Sequence, residues 1–152
     1  MRSLLRAMTS RVTIGIAGLV LAAAVSAPSY QGGSSFKLII NPKLAGRAVT
    51  RDVVAQIFLG KVQRWGDGSL ISPVDLSGTS PVRQAFSEAV LAMPIDGVKR
   101  YWMEKIAAGK RPPLTKRTDD EVIAFVASEP GGIGYVSDAA TVPETVRAVE
   151  VR

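Results

Sequence analysis

The chain has 152 residues, 47% of them apolar, which is enough for one packed domain with a processed segment in front of it. It contains no cysteine and no histidine, so disulfides, thiolate or imidazole metal sites, cysteine nucleophiles and Ser-His-Asp hydrolysis are all excluded. The formal net charge is +6, which raises the question of nucleic acid.

The first segment answers part of that question. Arg2, Arg6 and Arg11 precede an apolar run from Val12 to Val25, and small residues follow. A basic end, an apolar core and a small-residue exit make a secretory signal peptide the expected reading of residues 1–24. Ala22 and Ala24 satisfy the small-x-small rule for cleavage after Ala24, with the cut expected between about residues 24 and 27. The run is short for a membrane span of roughly 20 residues. Its removal leaves 16 basic against 13 acidic residues, a net +3. Nucleic-acid binding thereby loses its main support, whereas a small anionic ligand stays compatible.

Residues 25–35, ending in "YQGGSS", read as a flexible lead-in to a domain over 36–152. "FKLIINP" is a short apolar run closed by Pro42 and predicts a buried strand. Thr50 then stands as N-cap of a helix whose stripe is Val53, Val54, Ile57 and Phe58, with Gly60 as its left-handed stop. "KVQRWGDGS" is a polar turn around Trp65, and "LISPV" (70–74) a second strand that Pro73 places near an edge or an end.

Ser80 or Thr79 caps the next helix and Pro81 fits its first turn, with Ala85, Phe86, Ala89, Val90 and Met93 facing inward. Asp96 is the expected cap of a third helix, striped by Val98, Tyr101, Trp102 and Ile106 and stopped by Gly109. "RPPLTKR" is a rigid basic connector. Thr118 and Glu121 have capping-box spacing at the start of a fourth helix that ends at Pro130-Gly131-Gly132. "IGYV" (133–136) and "VRAVEV" (146–151) supply two further strands. Alternating strands and helices give an α/β class, a small sheet flanked by helices.

The stretch carrying the most chemistry is "DLSGTSPVRQAF", residues 75–86. Gly78 allows close backbone approach, the hydroxyls of Ser77 and Thr79 can donate, and the N–H groups at a helix start favour negative charge. The same residues also serve as an ordinary cap. Arg83 in the first turn opposes the helix dipole by roughly 0.3–1 kcal/mol, and a nearby oxyanion would reverse that sign. Asp75 either accepts a proton from a monoprotonated oxyanion or caps the turn.

Trp65, Tyr101 and Trp102 read as packing rather than a stacking platform. Lys110, Arg111, Lys116 and Arg117 read as a solvated surface, with contact to a partner or an anionic surface as the alternative. The glycines of "PGGIGYV" read as a structural demand for a tight start to a strand.

Taken in order, "VTRDVVAQIFLGKVQRWGDGSLISPV", the Ser-Gly-Thr turn, "YWMEKIAAGKRPP" and "PGGIGYV" resemble the substrate-binding proteins of phosphate ABC transporters, which are type II periplasmic binding proteins. The resemblance covers about Phe36 to Val151 and is closest to short, single-lobe relatives. It implies a single lobe of a periplasmic-binding-protein-like fold, exported to the periplasm, that binds phosphate or a similar oxyanion without catalysis or cofactor. Ser77, Gly78 and Thr79 match the end of that family's phosphate turn, and Asp75 matches its aspartate with a shifted spacing. The family's preceding arginine is absent, and Arg83 would have to supply charge from another position. A single lobe leaves the ligand wet, so weak binding is expected unless a homodimer or a partner completes the cleft. The alternative is a ligand-free accessory module that meets a transporter or another envelope protein.

Overall fold

The computed structural model describes residues 35–44 and 49–151. The expected signal peptide and all but the last residue of the lead-in lie outside the described residues. Five strands form one mixed sheet: β1 (Phe36–Ile40), β2 (Ser72–Leu76), β3 (Leu114–Lys116), β4 (Gly132–Ser137) and β5 (Arg147–Val149), in the order β3-β2-β4-β1-β5. β2 runs parallel to both β3 and β4, whereas β1 is antiparallel to β4 and β5. The class is α/β, as the alternation of elements predicts.

β2 begins two residues later than the sequence indicates and lies inside the sheet. Pro73 is tolerated there because β3 pairs only from Val74 onward. Ser72 donates to Gly131 O on the β4 side, so the N–H that Pro73 lacks falls on the side that β3 has not reached. "RPPLTKR" is more than a connector: its Leu114–Lys116 segment is β3, the sheet edge.

The helices are α1 (Arg51–Phe58), α2 (Pro81–Phe86), α3 (Ile95–Ala107) and α4 (Asp119–Ser128). Thr50 caps α1 through the Val53 N–H, and Gly60 follows it with φ 67°. Val54, Ile57 and Phe58 are buried as expected, but Val53 is exposed. Thr118 caps α4 through the Glu121 N–H, while the Glu121 carboxylate accepts from the Arg117 N–H at 2.7 Å. That hydrogen bond is the first cause that holds the Glu121 carboxyl below its ordinary range.

Two helical expectations change. α2 passes into a wide π turn over Ser87–Leu91, with the Ala92 N–H reaching Ser87 O and Ala92 itself left-handed at φ 52°. The extra residue in that turn rotates the inward face, so Leu91 is buried and Ala89 is exposed. α3 starts after Pro94, with no side-chain cap, and Asp96 lies within its first turn. Val98 and Trp102 are buried there, whereas Ile106 is exposed.

Helices cover both faces of the sheet. β4, the strand with five consecutive buried residues, is the centre of the packing. Its register sets Ser72 beside Gly132 and Pro73 beside Ile133. Continued, that register puts Val74 beside Gly134 on one face and Asp75 beside Tyr135 on the other. The Gly134 face lies under α4: a Cβ on Gly134 would meet Val74 Cγ1 at 2.7 Å and Val122 Cγ1 at 2.8 Å.

The Tyr135 face is aromatic. Phe86 stacks on Tyr135 with ring centroids 3.8 Å apart, and Phe58 and Phe36 pack around the pair. Each such ring pair contributes about 0.5–1.5 kcal/mol beyond the burial of its area.

Candidate functional site

β2 ends at Leu76, and the chain turns through Ser77, Gly78 and Thr79 before Ser80 caps α2. The turn therefore lies beyond the carboxyl end of a parallel strand, where open α/β sheets place their ligands. Ser77 extends the β2–β3 ladder by donating its N–H to Lys116 O at 2.8 Å, and its carbonyl accepts from the Ser80 N–H at 2.9 Å. These bonds fix the turn at both ends. Ser77 Oγ and Thr79 Oγ1 are 3.1 Å apart, and Gly78 and Thr79 are exposed. Among the described residues the Gly78 N–H has no hydrogen-bond partner.

Ser80 Oγ accepts from the Arg83 N–H at 3.4 Å, so the capping role is real and belongs to Ser80 rather than Thr79. Capping and an exposed turn coexist here because different residues serve them.

Asp75 and Arg83 lie behind the turn, inside the protein. Arg83 Nη1 is 2.7 Å from Asp75 Oδ2, and each side chain is 9% exposed. Nη1 makes no aligned hydrogen bond despite that distance, so charge rather than direction holds the contact. The other carboxylate oxygen accepts from the Tyr135 hydroxyl and from the Leu76 N–H at 2.9 Å. Leu76 N–H also donates to the Tyr135 hydroxyl oxygen at 3.3 Å.

Burial is the largest influence on Asp75 and lifts its carboxyl above the ordinary range, against the downward pull of Arg83, the Tyr135 hydroxyl and the Leu76 N–H. Burial, reinforced by the Asp75 charge, likewise raises the Tyr135 phenol.

The cluster resolves the question that Arg83 poses in the sequence. A cation in the first turn opposes the helix dipole, and an anion nearby reverses the sign. In the structure that anion is the carboxylate of Asp75. The geometry thus groups the five candidate residues in two: Ser77, Gly78 and Thr79 form the outward turn, and Asp75 with Arg83 forms a buried pair beneath it.

Tyr135 is the residue that sequence reasoning missed. A tyrosine in a central, fully apolar strand needs a partner for its hydroxyl, and that requirement was the available signal. The neighbouring glycines behave as a structural demand: a Cβ on Gly131 would come within 1.9 Å of Leu70 O. Trp65 is buried and directs its Nε1–H to Gly131 O at 3.3 Å, in keeping with a packing role.

No protein-family model matches the sequence, and no curated protein does. Solved structures do. The chain is similar in fold to an ABC-type phosphate transport receptor from Vibrio cholerae, with TM-score 0.60 and 14% identity over 78% of this chain and 46% of the receptor. It is similar to a candidate phosphate ABC transporter substrate-binding protein from Clostridium perfringens, solved with bound phosphate, with TM-score 0.61 and 20% identity over 78% and 45% of the two chains. PstS from Borrelia burgdorferi is a third, with TM-score 0.53 and 15% identity over 69% and 41%. The chain spans under half the length of these proteins, and its fold corresponds to a single lobe.

Proposed function

We propose that this protein is an exported, non-catalytic binding module of the periplasm that takes phosphate or a similar oxyanion at Ser77, Gly78 and Thr79. The observation that carries the reading is the outward pair of hydroxyls, 3.1 Å apart, beside an uncommitted Gly78 N–H at the carboxyl end of β2. Its support from likeness is the shared fold with phosphate receptors, one of them solved with phosphate. Asp75 and Arg83 act from beneath: they hold the turn's position and contribute no net charge, because each neutralises the other.

Such a site is wet, uncharged and one-sided, so its affinity is in the millimolar range, about −4 kcal/mol. Calorimetric titration of the purified protein with inorganic phosphate tests this. The expected result is saturable heat that Thr79→Val with Ser77→Ala abolishes without changing the urea midpoint. No response up to tens of millimolar removes the ligand.

A second reading is an accessory module that meets a transporter or another envelope protein without a ligand. The specific observation favouring it is that Arg83, the cation expected to supply charge to the turn, is paired with Asp75. Recovery of a stable envelope partner in phosphate-free buffer supports this reading.

A further inference from the structure

The other end of β2 carries a second concavity. A cleft of about 440 Å³ opens beside Ile71, Pro73 and Phe125, and Leu70 and Leu114 stand at its lip, 61% and 59% exposed. It shares Gly60, Gln63, Trp102 and Arg111 with an adjoining groove of about 270 Å³. That groove is ringed by Lys61, Lys105, Lys110 and Arg111. Among the described residues no carboxylate pairs with any of the four; Lys105 lies over the Tyr101 ring, 5.2 Å from its centroid. One carboxylate, Glu129, lines the apolar cleft and not the basic groove.

We propose that this continuous surface docks an acidic, extended segment of a partner protein, with its carboxylates among the four cations and one apolar side chain in the cleft between Leu70 and Leu114. Four unpaired positive charges around one groove repel one another, and a segment carrying negative charge relieves that repulsion. An apolar cleft sharing the same walls supplies an anchor pocket, the usual source of affinity in a peptide interface.

The alternatives fit less well. Stacking of nucleic-acid bases needs open aromatic faces, but Trp102 is buried, and Tyr101 is half-buried with its hydroxyl donating to Leu59 O at 2.7 Å. A free inorganic anion would leave the apolar cleft unused. The surface is also separate from the Ser77–Thr79 turn, so the proposal does not depend on phosphate binding.

The test is an amide NMR titration of the purified protein with a short synthetic peptide of alternating glutamate and aspartate around one central leucine, alongside the same peptide with serine at its centre. The expected result is saturable shifts at Gly60, Gln63 and Leu114 with Gly78 unmoved. The serine peptide should bind about fivefold more weakly, and Lys110→Glu with Arg111→Glu should weaken the leucine peptide by about tenfold. Both substitutions fall on exposed positions, so an unchanged amide spectrum elsewhere confirms the fold.

Absence of saturable shifts overturns the proposal. Equal binding of the two peptides overturns it as well, because charge alone would then explain the contact. Undiminished binding to the charge-reversed variant is equally fatal. Shifts caused by phosphatidylglycerol vesicles but not by the peptide would assign the surface to a membrane instead.

Discussion

Asp75 Oδ2 and Arg83 Nη1 lie 2.7 Å apart across the Ser-Gly-Thr turn, joining the end of β2 to the first turn of α2. The pair closes the turn from behind, so the turn's outward geometry depends on two side chains that solvent hardly reaches.

Removing one partner strands the other. Arg83→Met should cost about 3–5 kcal/mol, because it leaves the buried Asp75 carboxylate without its counterion, whereas Asp75→Asn should cost less, because burial already opposes the charge it removes. The double variant should lose clearly less than the sum of the two, a coupling readable by urea denaturation. Simple additivity would show that the two residues do not act as a unit.

The stability carried by Asp75 should depend on pH in an unusual direction. Its folded carboxyl titrates above the unfolded value of 3.8, so between those two values the native state holds more protons than the unfolded chain. Stability from this group therefore falls as pH rises through that window and is recovered on acidification. The unfolding free energy of the wild type relative to Asp75→Asn should grow as pH is lowered from about 7 toward about 4. A shrinking difference would mean that Arg83, the Tyr135 hydroxyl and the Leu76 N–H outweigh burial.

Tyr135 joins the aromatic cluster to the ion pair. Tyr135→Phe keeps the ring on Phe86 but removes the donor to Asp75, so a loss of about 1–3 kcal/mol is expected. Phe86→Ala removes the stacked ring itself and should cost more, about 3–5 kcal/mol. Thermal unfolding of the two variants ranks them, and the reverse order would place the stability in the polar cluster rather than in the rings.

The glycines offer a graded comparison. Gly134→Ala drives a methyl against the side chains of Val74 and Val122, which can shift, and should cost about 1–3 kcal/mol. Gly131→Ala drives it against the Leu70 carbonyl, which cannot move without the chain. Gly131→Ala should therefore be the more damaging, with little folded protein recovered on expression. Circular dichroism and soluble yield decide between the two.

Much of this architecture is legible along the chain. The Thr50 and Thr118 caps and the Gly60 stop act within four residues of themselves, so local pattern suffices to place α1 and α4. What local pattern misses is set by neighbours distant in sequence. β3 exists because β2 offers it an edge, although Leu114–Lys116 has no strand signature of its own. The π turn after α2 shifts a face that simple helical spacing assigns to Ala89. The candidate site divides along the same line. Ser77, Gly78 and Thr79 announce themselves as a motif, whereas the match between Asp75, Arg83 and Tyr135 spans 60 residues and appears only when β4 lies beside β2.

The arrangement of β1 between β4 and β5 has a consequence for how this domain can be carried. The antiparallel register of Leu38 opposite Val149 brings the first and last described strands side by side, with residues 35 and 151 at the same end of the sheet. A fold whose two ends leave from adjoining positions can be spliced into a loop of a host protein, or closed into a ring by a short linker and reopened elsewhere, without unpairing a strand.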